Sequence, residues 1–135
     1  MTSEGILYDY MSIYEYMGRV VVIVVKIFKA LSDETRLRMV SLVWNGEMCV
    51  CEIEKCLKLT QSNASRHLTT LKDAGILSSF KQAQWAYYKL DEDFCGSNKE
   101  LFEYLSLKFK TVPIFKNDVE QMQKCKKEDL CKCNK

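Results

Sequence analysis

The stretch QSNASRHLTTLKDAGIL, Gln61 to Leu77, decides how the rest of the chain reads. Thr60 just before it suits an N-cap, and Gly75 suits the residue after a helix C-terminus, where the backbone turns left-handed. The spacing therefore predicts a helix from about Thr60 to Ala74. On that helix Ala64, Leu68 and Leu71 share one face, while Gln61, Ser62, Asn63, Ser65, Arg66 and Thr69 lie largely away from it. One face is made for a core and the other for hydrogen bonds.

Upstream, a shorter helical stretch runs from about Cys49 to Leu57 and a tight turn follows at Lys58-Leu59, so the pair has the outline of a helix-turn-helix. Before it, Ser32 followed by Asp33 and Glu34 reads as a cap with acids in the first turn. Leu37, Val40, Val43 and Trp44 then recur at helical spacing until Asn45-Gly46. Further back, Leu7, Tyr10, Tyr14, Met17, Val21, Val24, Phe28 and Leu31 step by three and four, predicting one long helix. The β-branched run Val20 to Val25 favours a strand locally, but the seam continues through both flanks. A seam of that length calls for a partner helix.

Downstream, Ile76 to Lys81 and Trp85 to Leu90 flank Gln82-Ala83-Gln84 as a short β-hairpin, in the position of a wing. Ser97 and Glu100 form a capping-box pattern ahead of Leu101, Phe102, Leu105 and Phe109, predicting a helix that ends before Pro113. A last short helix is expected near Asn117. Beyond Cys125 the chain is charged and small, and is expected to be mobile unless a metal orders it. The fold class is thus mainly α with a small β-hairpin (α+β), a winged helix-turn-helix. It divides into an N-terminal helix (1–31), the winged core (32–95), a C-terminal helix (96–112) and a cysteine-containing tail (113–135).

With 135 residues, 47% of them apolar, one compact unit is expected. The net charge of +2 is too small to announce a nucleic-acid partner. Locally the balance differs: from Gln61 to Leu90, Arg66, Lys72, Lys81 and Lys89 face a single acid, Asp73. Short polar side chains at a helix N-terminus suit the major groove of double-stranded DNA, where amides read adenine and Arg pairs with guanine or phosphate. The expected contacts are Gln61, Ser62, Asn63, Ser65, Arg66 and Thr69, with Lys81 and Gln84 from the hairpin. The lone His67 is assigned a packing or hydrogen-bonding role, since no second His exists to share a metal. No base, nucleophile and oxyanion constellation is present, so no catalytic residue is proposed and an enzyme is not expected.

Seven cysteines (Cys49, Cys51, Cys56, Cys95, Cys125, Cys131 and Cys133) are odd in number and clustered, unlike a stapling framework. They read as reduced thiols of a cytoplasmic protein. No membrane span is expected, because the apolar run bracketed by Glu15, Arg19 and Lys26 falls well short of the roughly 20 residues a span needs. Cys49 and Cys51 stand at a helix start, where free N–H groups and the helix dipole favour thiolate. In an ideal helix, residues two apart point about 200° away from each other, so one ion grips both only if the first turn distorts, a strain that would itself act as a switch. A third sulfur has Cys56 as its nearest candidate, two turns or about 10 Å away. Cys125, Cys131 and Cys133 are alternatives, and the Cys-Lys-Cys ending is also a plausible separate soft-metal clip. Cys95 reads as a small packing residue.

Four segments together resemble one family: FKALSDETRLRMV (Phe28 to Val40), EMCVCEI (Glu47 to Ile53), the stretch quoted first, and WAYYKL (Trp85 to Leu90). From about Ile27 to Leu90 the chain resembles the arsenical-resistance and metallothionein-operon repressors, ArsR/SmtB. The resemblance implies a homodimer built from the first and last helices, with 1–31 the N-terminal and 96–112 the C-terminal dimerisation helix, bound to an inverted-repeat operator and released by ligand. In the family's Cys-Val-Cys box the cysteines bind arsenite or antimonite, and the matching positions are Cys49 and Cys51. As(III) or Sb(III) is therefore the expected inducer, with other soft ions as alternatives. The arsenite branch often has a further cysteine where Glu54 stands. The cadmium and lead branch adds N-terminal cysteines, of which Met1 to Arg19 has none, and the zinc and nickel branch uses His on the last helix, of which Asn98 to Phe109 has none. The wing turn carries Gln82-Ala83-Gln84 where the family commonly has Gly and Arg. Alternatives of the same fold are a cadmium- or lead-responsive repressor and a thiol redox switch; a metal-buffering protein that binds no operator is the reading from another class.

Overall fold

The computed structural model describes the backbone of residues 3–127 and the side chains of residues 12–127. The expectations for Cys131 and Cys133 fall outside the described residues, as do those for the Leu7 and Tyr10 side chains. The described elements are α1 (Ser3–Leu31), α2 (Glu34–Val43), β1 (Met48–Cys49), α3 (Val50–Leu57), α4 (Gln61–Asp73), β2 (Leu77–Gln82), β3 (Trp85–Leu90), α5 (Glu92–Ser97), α6 (Lys99–Thr111) and α7 (Pro113–Lys127). The strands form one antiparallel sheet in the order β1-β3-β2. Helices with a two-stranded wing and a stub strand at its root make this a winged helix-turn-helix, as expected.

The helix-turn-helix is built by its caps. Thr60 Oγ1 accepts from Asn63 N at 3.2 Å to start α4, and Gly75, at φ +79°, ends it while Ile76 N donates back to Leu71 O at 3.1 Å. Lys58 takes the left-handed conformation (φ 55°) and Leu59 N reaches Glu54 O at 2.9 Å, which turns α3 sharply into α4. Ala64, Leu68 and Leu71 are fully buried against Met39, Val40 and Leu42 of α2 and Ile53 of α3. Burying each such Leu contributes about 1.5–3 kcal/mol, so this face, not helix propensity, holds α4 in place.

The N-cap of α2 is Asp33 rather than the expected Ser32. Its carboxylate accepts from Arg36 N at 3.0 Å, whereas the Ser32 hydroxyl donates back to Lys29 O at 2.7 Å and so closes α1. Arg36 then ties three helices together: Nε donates to Ala30 O (2.6 Å), Nη2 to Lys29 O (3.2 Å), and Nη1 lies 3.1 Å from His67 Nδ1 on α4. These contacts satisfy carbonyls orphaned at the end of α1, and His67 has the local hydrogen-bonding role expected of it.

The C-terminal third departs most from expectation. An unforeseen helix, α5, is capped by Asp91, which accepts from Phe94 N at 3.1 Å. Ser97 is the last residue of that helix, so the Ser97/Glu100 capping box does not form and Asn98 precedes α6 instead. The last described helix begins at Pro113, not near Asn117, because proline's missing N–H costs nothing in a first turn. Nor is 113–127 a tail. Arg38 of α2 grips buried Asp118 through two hydrogen bonds of 2.8 and 2.9 Å. Trp44 stacks on Phe102 at 4.4 Å and Phe109 packs edge-on to Phe115 at 4.9 Å, which locks α2, α6 and α7 together. The Asp118 carboxylate, more than desolvation opposes it, holds the Arg38 guanidinium above its ordinary pKa.

Candidate DNA interface and sulfur site

All eight side chains expected to meet DNA are exposed. Gln61, Ser62, Asn63, Ser65, Arg66 and Thr69 line the outer face of α4, and Lys81 and Gln84 sit at the wing. Arg66 Nη2 lies 3.3 Å from Asn63 Oδ1, one turn apart, so both head groups stand on the same outer surface. The wing turn has two residues, because Gln82 pairs with Trp85, rather than the three expected. Ala83 takes φ 57° there, a conformation that costs a residue with a Cβ about 1–2 kcal/mol.

Cys49 and Cys51 meet. Their Sγ atoms are 3.1 Å apart. The expected geometric obstacle does not arise, because Cys49 is not in the helix: it is the extended N-cap of α3 (φ −72°, ψ 146°) and also the second residue of β1. Only Cys51 is helical, so the 200° helical offset does not apply and no distorted first turn is needed. Two sulfurs this close can both reach one ion at a sulfur–metal bond of about 2.3 Å. Against the expectation of reduced thiols throughout, Cys51 is disulfide-bonded; once that bond is reduced, two soft thiolate donors suit a thiophilic ion, the kind of effector that the resemblance implies.

The surroundings of the pair could not be read from local spacing. Cys49 pairs with Tyr87 across β1 and β3. The two are buried together, with Cys51, Phe80 and Trp85 packed around them. Phe80 stacks on Tyr87 at 5.5 Å, so the sulfur pair rests on the aromatic root of the wing. Buried Glu52 accepts from Cys49 N at 2.9 Å and fixes the start of α3. Its position three residues after Cys49 was a capping-box spacing hidden by a cysteine in the Ser/Thr place. A cavity of about 430 Å³ joins these parts: Cys49, Cys51 and Glu54 on one side, Gln61 and Ser65 of α4 on another, Gln84, Trp85 and Ala86 of the wing on the third. The sulfur pair and the DNA-facing residues thus open on one cleft.

Cys56 does not join them. It is buried at the far end of α3 and meets Cys125 of α7; burial first, and the Cys125 side chain second, push its thiol up to about 12. Cys95 is half-buried against the core, in keeping with packing, and its thiol is raised chiefly by burial. Among the described residues no three His, Cys, Asp or Glu form a group able to hold a metal ion.

Residues 33–79 match the family model described as bacterial regulatory protein, arsR family. The chain is 49% identical over 65 residues to the arsenic resistance transcriptional regulator ArsR1 of Pseudomonas putida, a match covering 47% of this chain and 51% of that one. It is 39% identical over 71 residues to the cadmium resistance transcriptional regulatory protein CadC homolog of Staphylococcus aureus, covering 52% of this chain and 59% of that one. The chain thus spans only about half to three-fifths of the length of these curated relatives. Among solved structures, HlyU from Vibrio cholerae superposes with a TM-score of 0.55 at 30% identity, over 63% of this chain and 92% of that one. The chain belongs to the arsR family of bacterial regulatory proteins, which are winged-helix, DNA-binding transcriptional regulators and not enzymes.

Proposed function

We propose that this protein is a homodimeric repressor that holds an inverted-repeat operator and lets it go when trivalent arsenic or antimony binds Cys49 and Cys51. The observation that carries the reading is the shared cleft: sulfurs 3.1 Å apart open on the space lined by Gln61, Ser65 and Gln84. Whatever moves these sulfurs acts on the Cys49–Tyr87 strand pairing and on the first turn of α3 together, and so on both the wing and the support of α4. A coupling of about 1–3 kcal/mol between the two sites would weaken operator binding roughly 5- to 150-fold. The proposed base-reading residues are Gln61, Ser62, Asn63, Ser65, Arg66 and Thr69, with Lys81 and Gln84 on the wing.

Dimerisation is supported by the apolar surface left open on α1, where Tyr14, Met17, Val21 and Phe28 are each more than half exposed, and by Tyr104 and Leu107 on α6. No described helix is long and apolar enough to cross a membrane, and a cytoplasmic site of action accords with an operator as partner. The likeness to a cadmium regulator keeps cadmium as the rival effector.

The test is fluorescence anisotropy of reduced protein on the inverted repeat upstream of its own gene, titrated separately with arsenite, antimonite and cadmium. Release by arsenite at stoichiometric amounts is expected, with binding kept and release abolished in Cys49→Ser/Cys51→Ser. Release that persists in the double variant would sink the assignment, and release by cadmium alone would move it to the rival ion.

A further inference from the structure

The joint between α1, α2 and α4 is polar, whereas the rest of the seat of α4 is apolar. Arg36 stands at its centre with only 18% of its side chain exposed. Nε and Nη2 donate to the carbonyls of Ala30 (2.6 Å) and Lys29 (3.2 Å) in the last turn of α1, and Nη1 meets His67 Nδ1 of α4 at 3.1 Å. Asp33, the N-cap of α2, brings a carboxylate oxygen to 4.0 Å from the same Nη1. A guanidinium only donates, so His67 is the acceptor: Nδ1 presents its lone pair and the ring is neutral. Beside these contacts a cleft of about 360 Å³, lined by Lys26, Lys29, Arg36, Thr70 and Asp73, leaves α4 room to turn.

The helices joined here carry the two halves of a dimeric DNA reader: α1 bears open apolar surface and α4 the exposed polar set. In such dimers the recognition helices enter the major groove at half-sites about 34–36 Å apart, one turn of the duplex. A change in the angle between α1 and α4 therefore misplaces both recognition helices at once. Burial of Ala64, Leu68 and Leu71 holds α4 to the core, but apolar burial is non-directional and allows a helix small rolls and slides. Hydrogen bonds weaken steeply as they bend, so the Arg36 clamp resists those motions. Resting on the reading of this chain as a dimeric, operator-binding repressor, we propose that Arg36 and His67 are positioning residues for operator recognition. Arg36 carries the orientation of the dimerising helix to the recognition helix, neutral His67 receives it, and the pair thereby sets the half-site spacing that the dimer accepts.

The test is fluorescence anisotropy of reduced full-length protein on three duplexes. One is the inverted repeat upstream of its own gene; the others have one base pair added to or removed from the spacer, which moves a half-site by about 3.4 Å along the axis and about 35° around it. Wild type is expected to prefer the native spacing by at least about tenfold. His67→Leu and Arg36→Lys are expected to bind the native repeat about tenfold more weakly and to distinguish the three duplexes by less than about threefold. Lysine keeps the charge, but one ammonium cannot reach two α1 carbonyls and His67 together. The double variant is expected to lose little more than either single one, because both break the same chain of contacts. His67→Asn, whose Oδ1 stands near the place of Nδ1 and accepts a hydrogen bond, is expected to restore affinity and spacing preference to within about threefold of wild type.

Helical circular dichroism checks that each variant folds; should His67→Leu fail to, Arg36→Lys and His67→Asn decide the matter. Spacing preference kept by Arg36→Lys, whether or not its binding weakens, would overturn the proposal, since a contact that only supports the fold leaves that preference intact. Additive losses in the double variant, or His67→Asn behaving no better than His67→Leu, would overturn it too. A wild type that binds none of the duplexes would overturn the repressor reading and the positioning role with it, so the two failures are told apart.

Discussion

The two terminal helices of the described chain are both amphipathic, yet they are spent differently. Helix α7 is used inside its own chain: Asp118 and Met122 are buried, and Phe115, Val119 and Cys125 pack on the core. Among its described side chains, helix α1 touches that core only at its C-terminal end, through Ile27, Ala30 and Leu31, while Val20 to Val25 stay 36–61% exposed. A helix with so much open apolar surface is incomplete in one chain; α7 is complete. The difference separates apolar surface left open from surface already consumed, and it leaves α6, within the segment 96–112 expected to dimerise, with Tyr104 and Leu107 open.

The contrast breaks most sharply at α1. Val21→Glu with Phe28→Glu places charges on the open seam, where burial in a dimer would be strongly unfavourable. Self-association measured by sedimentation is expected to weaken at least about 100-fold, roughly 3 kcal/mol, with helical circular dichroism retained. An unchanged dimer would show that α1 is not the interface.

At α7 the corresponding break is Asp118→Ala, which removes one partner of a largely buried bridge and leaves Arg38 unpaired. A loss of about 2–4 kcal/mol is expected, scaled down from the fully buried case because Arg38 keeps some solvent. The thermal midpoint should fall by about 5–12 °C whatever the protein concentration, unlike the α1 variant. A drop below about 2 °C would mean that α7 is held by apolar packing alone.

The smallest effect sharpens the joint between α1 and α2. Asp33→Ala removes the N-cap and should cost about 1 kcal/mol in urea melts at pH 7. The Arg36 N–H, followed by the Arg36 charge, holds the Asp33 carboxyl below its ordinary pKa against desolvation. A lowered folded-state pKa gives stability that is present above the unfolded value of about 3.9 and lost as pH falls through the folded one. The gap between wild type and variant should therefore narrow at pH 3; a gap equal at both pH values would reject the cap.

Much of this was readable in advance because it is local. Thr60, Gly75 and the Ala64-Leu68-Leu71 stripe define α4 with no help from the rest of the chain, and the three-and-four seam outweighed the β-branched run in α1 because each turn of a helix is stabilised by its neighbours. The exposed polar set on α4 followed from the same periodicity. The structure departs from the local reading in two ways. Asp91-Glu92-Asp93 carries a local cap signal for α5 that competes with the Ser97/Glu100 pattern. β1, by contrast, has only two residues and no propensity signal of its own; it exists because β3, some 40 residues later, offers Tyr87 and Tyr88 as partners.

The sulfur site divides along the same line. That Cys49 and Cys51 belong together, and what chemistry they suit, is written in EMCVCEI, because residue type and proximity along the chain need no fold. That their sulfurs stand 3.1 Å apart was decided by tertiary structure: strand pairing with Tyr87 pulls Cys49 out of the helical path that would have set the two on opposite sides. Helix periodicity and caps are short-range energies and can be read from order alone, whereas which side chains meet across elements depends on burial and long-range pairing, which exist only in the folded chain.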